Sequence, residues 1–173
     1  MDVKIDLATS QHCAEIVQLV NQAYRPQDAA QSWTNEAGLV TGKRTSTAQI
    51  LALLKEHSYI LLMYQGEQLL ACVHIEKYEN KACIGMLTTH IDFQNQGIGK
   101  VMLQKAEEFI RQQIAINWIE MAVLSKRPEL IAFYQRRGYQ LTCQILDYPV
   151  HADIGVPLSK DLKVLQLYKK LCG

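Results

Sequence analysis

Residues 83–110 read CIGMLTTHIDFQNQGIGKVMLQKAEEFI. An apolar run suited to a strand stops at a polar loop holding Gln94, Gln96, Gly97 and Gly99, and amphipathic helical spacing begins at once. A strand, a glycine-bearing turn and a helix N-terminus in that order leave backbone N–H groups aimed out of the first helical turn, where they suit an anion. The pattern therefore points to a ligand carrying phosphate or pyrophosphate. The loop Gln94-Asn95-Gln96-Gly97-Ile98-Gly99 lacks the third glycine of a dinucleotide fingerprint and the Lys-Ser/Thr of a Walker loop. Alone, its glycines suit a bare tight turn equally well, so its meaning depends on the rest of the chain.

Upstream, Val3, Ile5 and Leu7 alternate with Lys4 and Asp6 as a strand does, and Ser10 stands at the N-cap position of a helix carrying Ile16, Val17, Leu19 and Val20. Residues 25–46 have weak periodicity and several turn formers, which predicts a long loop of the kind that carries function. Thr45 or Ser46 caps a second helix through Leu54. Strands follow at 59–64, 68–78 and 81–90, joined by the turns Gln65-Gly66-Glu67 and Glu79-Asn80-Lys81. Downstream, the spacing predicts a helix over 97–113, a strand over 118–124, and a helix from Pro128 to a terminating Gly138. Strands at 139–146 and 164–171 close the chain.

The order is β-α-α-β-β-β-α-β-α-β-β. Three consecutive strands favour antiparallel pairing, and the β-α-β segment requires a parallel neighbour. The expected fold is thus α/β, a mixed sheet with helices on both faces, in one domain over residues 1–173.

Composition narrows the function. A hydrophobic content of 49% with a formal net charge of +1 is that of an ordinary globular protein without the field that nucleic acid or anionic lipid would need. Cys13, Cys72, Cys83, Cys143 and Cys172 show no paired spacing and read as reduced core thiols. The N-terminus has no apolar leader and no apolar run reaches membrane length, so a soluble cytoplasmic protein is expected. His90 and Asp92 flank the loop, but no third ligand has suitable spacing and no metal is expected.

Taken together, the strand–loop–helix of residues 83–110 and the segment RPELIAFYQRRGYQ at 127–140 resemble the GNAT-type N-acetyltransferase superfamily. The resemblance covers nearly the whole chain in element order. It implies that Gln94, Asn95, Gln96, Gly97, Ile98, Gly99 and Lys100 hold the pyrophosphate of acetyl-CoA, and that Leu87, Thr88 and Thr89 offer backbone groups to its pantetheine arm. Phe133, Tyr134, Gly138 and Tyr139 match the family's aromatic-Tyr-x-x-x-Gly-aromatic setting. Arg127 stands where many members carry Asn and is assigned to the cofactor, although with Lys126 it also reads as a solvated pair. The segment WTNEAGLVTGKRTS, residues 33–46, is similar to one subgroup without an assigned substrate, and Trp33 and Glu36 are expected to meet the acceptor. Family analogy also suggests a homodimer.

Acetyl transfer to an amine requires removal of an ammonium proton, polarisation of the thioester carbonyl and stabilisation of the departing thiolate. Tyr134 is the candidate acid, since a phenol can protonate a thiolate. His74 and Glu76 share one strand face and are the candidate bases, with Glu36 and Glu120 as weaker alternatives. Glu107 and Glu108 read as the solvent face of their helix. The expected activity is acetylation of a primary amine on a small molecule or peptide within a ternary complex. The alternative is a regulatory module that binds CoA without catalysis.

Overall fold

Each stretch of two-residue alternation becomes a strand and each stretch of helical spacing a helix. The computed structural model describes residues 2–26 and 35–172. Its elements are β1 (Lys4–Leu7), α1 (Cys13–Tyr24), β2 (Val40–Thr41), α2 (Thr47–Leu53), β3 (Ser58–Gln65), β4 (Gln68–Lys77), β5 (Ala82–Thr89), α3 (Ile98–Phe109), β6 (Trp118–Leu124), α4 (Pro128–Gln135), β7 (Gln140–Asp147), β8 (Val156–Pro157) and β9 (Lys163–Lys170). Seven strands form one mixed sheet in the order β1-β3-β4-β5-β6-β9-β7, antiparallel except for the β5–β6 pair.

Strand alternation sorts side chains between two layers. Ile60, Leu62, Cys72 and Met86 pack with Ile16, Leu19 and Val20 of α1 and Ile50 of α2. Leu61, Met63, Val73 and Ile75 turn to the opposite face and pack with Met102, Leu103 and Ala106 of α3. Helices therefore cover both faces of the sheet.

Two features of β5 open the sheet. Its parallel register with β6 consists of Ala82↔Ile119 and Cys83↔Glu120, after which the strands diverge. On its other edge His74 pairs with Gly85 but Cys72 pairs with Thr88, so Met86 and Leu87 together face Val73 in a β-bulge. Met86 sits there with φ of 52°, a left-handed conformation costly for a side-chain-bearing residue. The bulge bends β5 as it leaves β6, and a wedge opens between the two strands.

Several expectations are corrected. Ser10 is not the N-cap: Thr9 precedes a 3-10 turn (Ser10–His12), and its backbone N–H donates to His12 Nδ1 at 2.9 Å before α1 begins. Of the two candidate caps for α2, Ser46 accepts from the Gln49 N–H. The helix expected over 97–113 passes at Ile110–Ile114 into a π-helical turn. The segment read as loop contains β2, which pairs with β8. Gly155 makes that pairing possible, because a Cβ there would lie 2.5 Å from the Thr41 carbonyl oxygen. Cys13 and Cys72 are buried, but Cys143 and Cys172 are exposed rather than core thiols. Among the described residues no helix is long and apolar enough to cross a membrane.

Candidate active site

The loop after β5 is shaped by backbone conformation. Asn95 and Gly97 have φ of 60° and 82°, and Gly97 is the N-cap of α3 without any capping side chain. The N–H groups of the first helical turn are thus left without a cap from the chain. Gln94 Nε2 donates to the Thr89 carbonyl at 3.1 Å and Gln96 Nε2 to the Asp92 carbonyl at 3.1 Å, so both glutamines brace the loop. Gly99 lies against β5, where an added Cβ would come within 3.2 Å of Thr89 Oγ1.

This loop forms one wall of a cleft of about 300 Å³. Leu87, Thr89, Gln94, Asn95, Gly97, Gly99 and Lys100 line one side; Arg127, Leu130, Phe133, Tyr134, Arg136 and Arg137 line the other, with Tyr24 at the inner end. Three residues of the expected cofactor set lie outside this lining. Thr88 is fully buried, its hydroxyl donating to the Met86 carbonyl at 2.9 Å. Ile98 is in the core and Gln96 is exposed on the outer side of the loop.

A second cavity of about 230 Å³ meets the first. Both are lined by Tyr24, Leu87, Leu130 and Tyr134. The second occupies the wedge itself, between residues 84–87 of β5 and residues 121–124 of β6, and is closed by Glu36, Arg44, Tyr148, Pro149, Ile154 and Val164.

Tyr134 stands at the junction, 7% exposed. Among the described residues no protein group is hydrogen-bonded to its hydroxyl. Burial raises its pKa far above that of a free phenol and the nearby Tyr24 raises it further, against the opposing charges of Arg127 and Arg137. Tyr24 donates its hydroxyl to the Leu87 carbonyl at 3.0 Å, and burial pushes its pKa up to about 12. Arg44 lies over the Tyr24 ring at 5.3 Å. Glu36 is buried and paired with Arg25 at 2.7 Å.

The solvated Lys126–Arg127 pair does not form. Lys126 is exposed and bridges to Asp161, whereas Arg127 is 5% exposed and held by Glu129 and the Asn35 carbonyl. Glu107 likewise is not a solvent-facing carboxylate, because Tyr139 Oη and Lys169 Nζ both donate to it. The polar partners sit on β9 and after α4, out of reach of any periodicity within α3.

His74 and Glu76 line neither cavity. His74 Nε2 is 2.8 Å from Ser58 Oγ, and burial lowers its pKa, with Arg44 and Lys55 adding to the effect and Glu76 opposing it. Glu76 accepts a hydrogen bond from Lys55 at 2.8 Å, which holds its carboxyl below the usual range. Glu120 accepts from Lys81, Trp118 and Gln166. Trp33 lies outside the described residues. Among the described residues no group of three or more His, Cys, Asp or Glu side chains is arranged to hold a metal.

Tyr24, Tyr148, Leu130 and Arg44 were not foreseen as site residues. Tyr24 continues the apolar stripe of α1 and reads as core, and Arg44 is one of several charges in residues 25–46. Only the convergence of α1, α4 and the segments around Arg44 and Tyr148 on the β5–β6 wedge makes them neighbours.

Residues 11–139 match the model of the acetyltransferase (GNAT) family, and the chain belongs to that family. A curated relative, the uncharacterized protein YxbD of Bacillus subtilis (strain 168), is 28% identical over 100 residues. The match takes in 51% of this chain and 62% of that one, so the chain spans less than two thirds of this relative's length. The fold is similar to that of the ribosomal-protein-S18-alanine N-acetyltransferase from Escherichia coli, with a TM-score of 0.73, 14% identity, and 99% and 96% of the two chains covered. It is also similar to the PaiA N-acetyltransferase from Thermoplasma acidophilum in complex with coenzyme A, with a TM-score of 0.72, 16% identity, and 98% and 99% covered.

Proposed function

We propose that residues 1–173 form one acetyl-CoA-dependent N-acetyltransferase domain acting on a primary amine by direct attack in a ternary complex. The observation that carries this reading is the meeting of two cavities at Tyr24, Leu87, Leu130 and Tyr134, one walled by an uncapped helix N-terminus and the other opening through the β5–β6 wedge. Pyrophosphate suits the first turn of α3, with Lys100 adding positive charge. The pantetheine arm would run along β5 toward Leu87, bringing its thioester to the junction. The family match and the coenzyme A complex of a fold relative support acetyl-CoA as donor.

The neutral amine attacks the thioester carbonyl carbon, forming the C–N bond and a tetrahedral oxyanion. Beyond Cys83 the edge of β5 facing β6 carries no strand ladder, so its backbone N–H groups are available to stabilise that oxyanion. Collapse breaks the C–S bond, Tyr134 gives its proton to the thiolate, and the phenolate so formed takes the proton that the new amide nitrogen sheds. The ammonium proton leaves first, over water. His74 lines neither cavity and serves as the distant end of that relay, with burial lowering its pKa and so disfavouring the imidazolium. Glu76 then acts behind His74 by opposing that depression.

Release of free thiol from acetyl-CoA, followed across an amine panel, tests the reading. Acceptor-dependent release is expected; tight acetyl-CoA binding without release from any amine would instead favour a CoA-binding module. One observation speaks for that second reading: among the described residues Glu36 is the sole carboxylate lining either cavity, and it is paired with Arg25.

A further inference from the structure

Among the described residues, the charged side chains lining the acceptor cavity are Glu36 and Arg44. Glu36 Oε2 is 2.7 Å from Arg25 Nη1, and Arg25 also donates from Nη2 to the Ile154 carbonyl at 3.0 Å, so this pair neutralises itself. Of the three phenols lining the cavity two are occupied, Tyr24 donating to the Leu87 carbonyl and Tyr148 to the Ile154 carbonyl at 3.2 Å, and the third, Tyr134, is the proton donor proposed for the thiolate. That leaves Arg44. Its guanidinium lies over the Tyr24 ring, and among the described residues no carboxylate is within ion-pair distance of it. Met86, Met121, Val123, Leu124 and Val164 make the remaining wall apolar.

A half-buried guanidinium without a counter-ion among the described residues is costly to keep, and its planar fork matches a carboxylate in two hydrogen bonds. We infer that Arg44 receives the carboxylate of the acceptor, so that the amine acetylated belongs to an amino-acid-like molecule with an apolar body. Polycationic amines and lysine-rich peptides would bring their second positive charge against Arg44 and are disfavoured. The inference rests on the acetyltransferase reading and specifies its acceptor.

The test compares kcat/KM for L-leucine with that for leucinamide and for isopentylamine, amines of similar bulk whose basicities bracket that of leucine, and with that for spermidine. The full-length protein is used as wild type, R44Q and R44K. Loss of one charge-assisted bidentate contact corresponds to about ten- to a hundredfold in affinity. Leucine is therefore expected to exceed both carboxylate-free amines by about that factor, R44Q to erase the ratio and R44K to restore part of it. A merely structural role for Arg44 would lower all amines alike and leave the ratio standing. Equal or better turnover of isopentylamine or spermidine, or an unchanged ratio in R44Q, overturns the inference while leaving acetyl transfer intact. Absence of acetyl-CoA binding by calorimetry removes the acetyltransferase reading itself. Where no amine in the panel is turned over, displacement titrations on the CoA-loaded protein decide, and equal affinity for leucine and isopentylamine overturns the inference.

Discussion

The Tyr24 hydroxyl donates to the carbonyl oxygen of Leu87 at 3.0 Å, which fastens the last residue of α1 to the bulged segment of β5. Both residues line both cavities, so this bond fixes the waist through which donor and acceptor would meet. Tyr24→Phe keeps the ring but leaves the Leu87 carbonyl without its donor. An unsatisfied buried acceptor costs about 1–3 kcal/mol, and urea unfolding should lose stability in that range. Turnover is expected to fall with it, since a misplacement at the junction weakens alignment of the reacting atoms.

The two glycines of the loop should fail in different ways. A Cβ added at Gly97 would meet only open space, but φ there is 82°, so Gly97→Ala strains the backbone by about 1–2 kcal/mol without blocking the cleft. Gly99 has an ordinary φ but faces Thr89 Oγ1, so Gly99→Val wedges α3 away from β5 and fills the lining. Calorimetric titration with acetyl-CoA is the check: Gly99→Val is expected to weaken binding by more than about tenfold, and Gly97→Ala chiefly to lower the melting temperature.

What could be read before the structure follows from the range of the interactions involved. The β5–loop–α3 unit was legible because its signals are local: alternation, two glycines and helical spacing within residues 83–110. The β2–β8 pair was not, because a ladder of Val40↔Pro157 and Thr41↔Val156 is too short to show a period and its partners are far apart in sequence. The burial of Arg127 escaped for a similar reason. Its charge reads as solvent-seeking, and the approach of Asn35 and Glu129 helps to make its burial tolerable. The wedge cavity was legible in part: Glu36 and Arg44 fall in the 25–46 segment whose weak periodicity marked a functional loop, but its walls from α1, β5, β6 and residues 148–164 carried no local signal.

If His74 relays the amine proton, its titration sets the acid limb of kcat/KM. Burial is the main cause that lowers its pKa, so the limb should fall below pH about 6.5, the value of a free imidazole. Glu76 works in the opposite direction, favouring the imidazolium. Glu76→Gln removes that support and frees Lys55, which itself depresses His74, so the limb should move to still lower pH. A pH–rate profile for both proteins reads the shift. A limb at the same pH in Glu76→Gln and in His74→Gln would take His74 out of the relay.

Tyr134→Phe separates the acid role from packing. The ring contacts with Phe133 and Tyr139, at centroid distances of 5.2 and 5.7 Å, do not need the hydroxyl. Removing a general acid costs about a hundredfold or more in kcat, whereas acetyl-CoA affinity should move by less than about threefold. The same substitution has a signature in stability that is independent of turnover. Burial raises the folded-state pKa of Tyr134, so the folded chain holds this proton more tightly than the unfolded chain, which releases it near pH 10. The stability tied to that proton is complete below pH 10 and drains away above it, at about 1.4 kcal/mol per pH unit for each such group. Tyr24 behaves in the same sense, over a window that ends at about 12. Unfolding free energies measured by urea from pH 9 to 11 should therefore fall more gently in Tyr134→Phe than in the wild type. Parallel curves would mean that the Tyr134 hydroxyl reaches solvent well enough to ionise in the folded protein, and its place as a shielded proton donor at the junction would be lost.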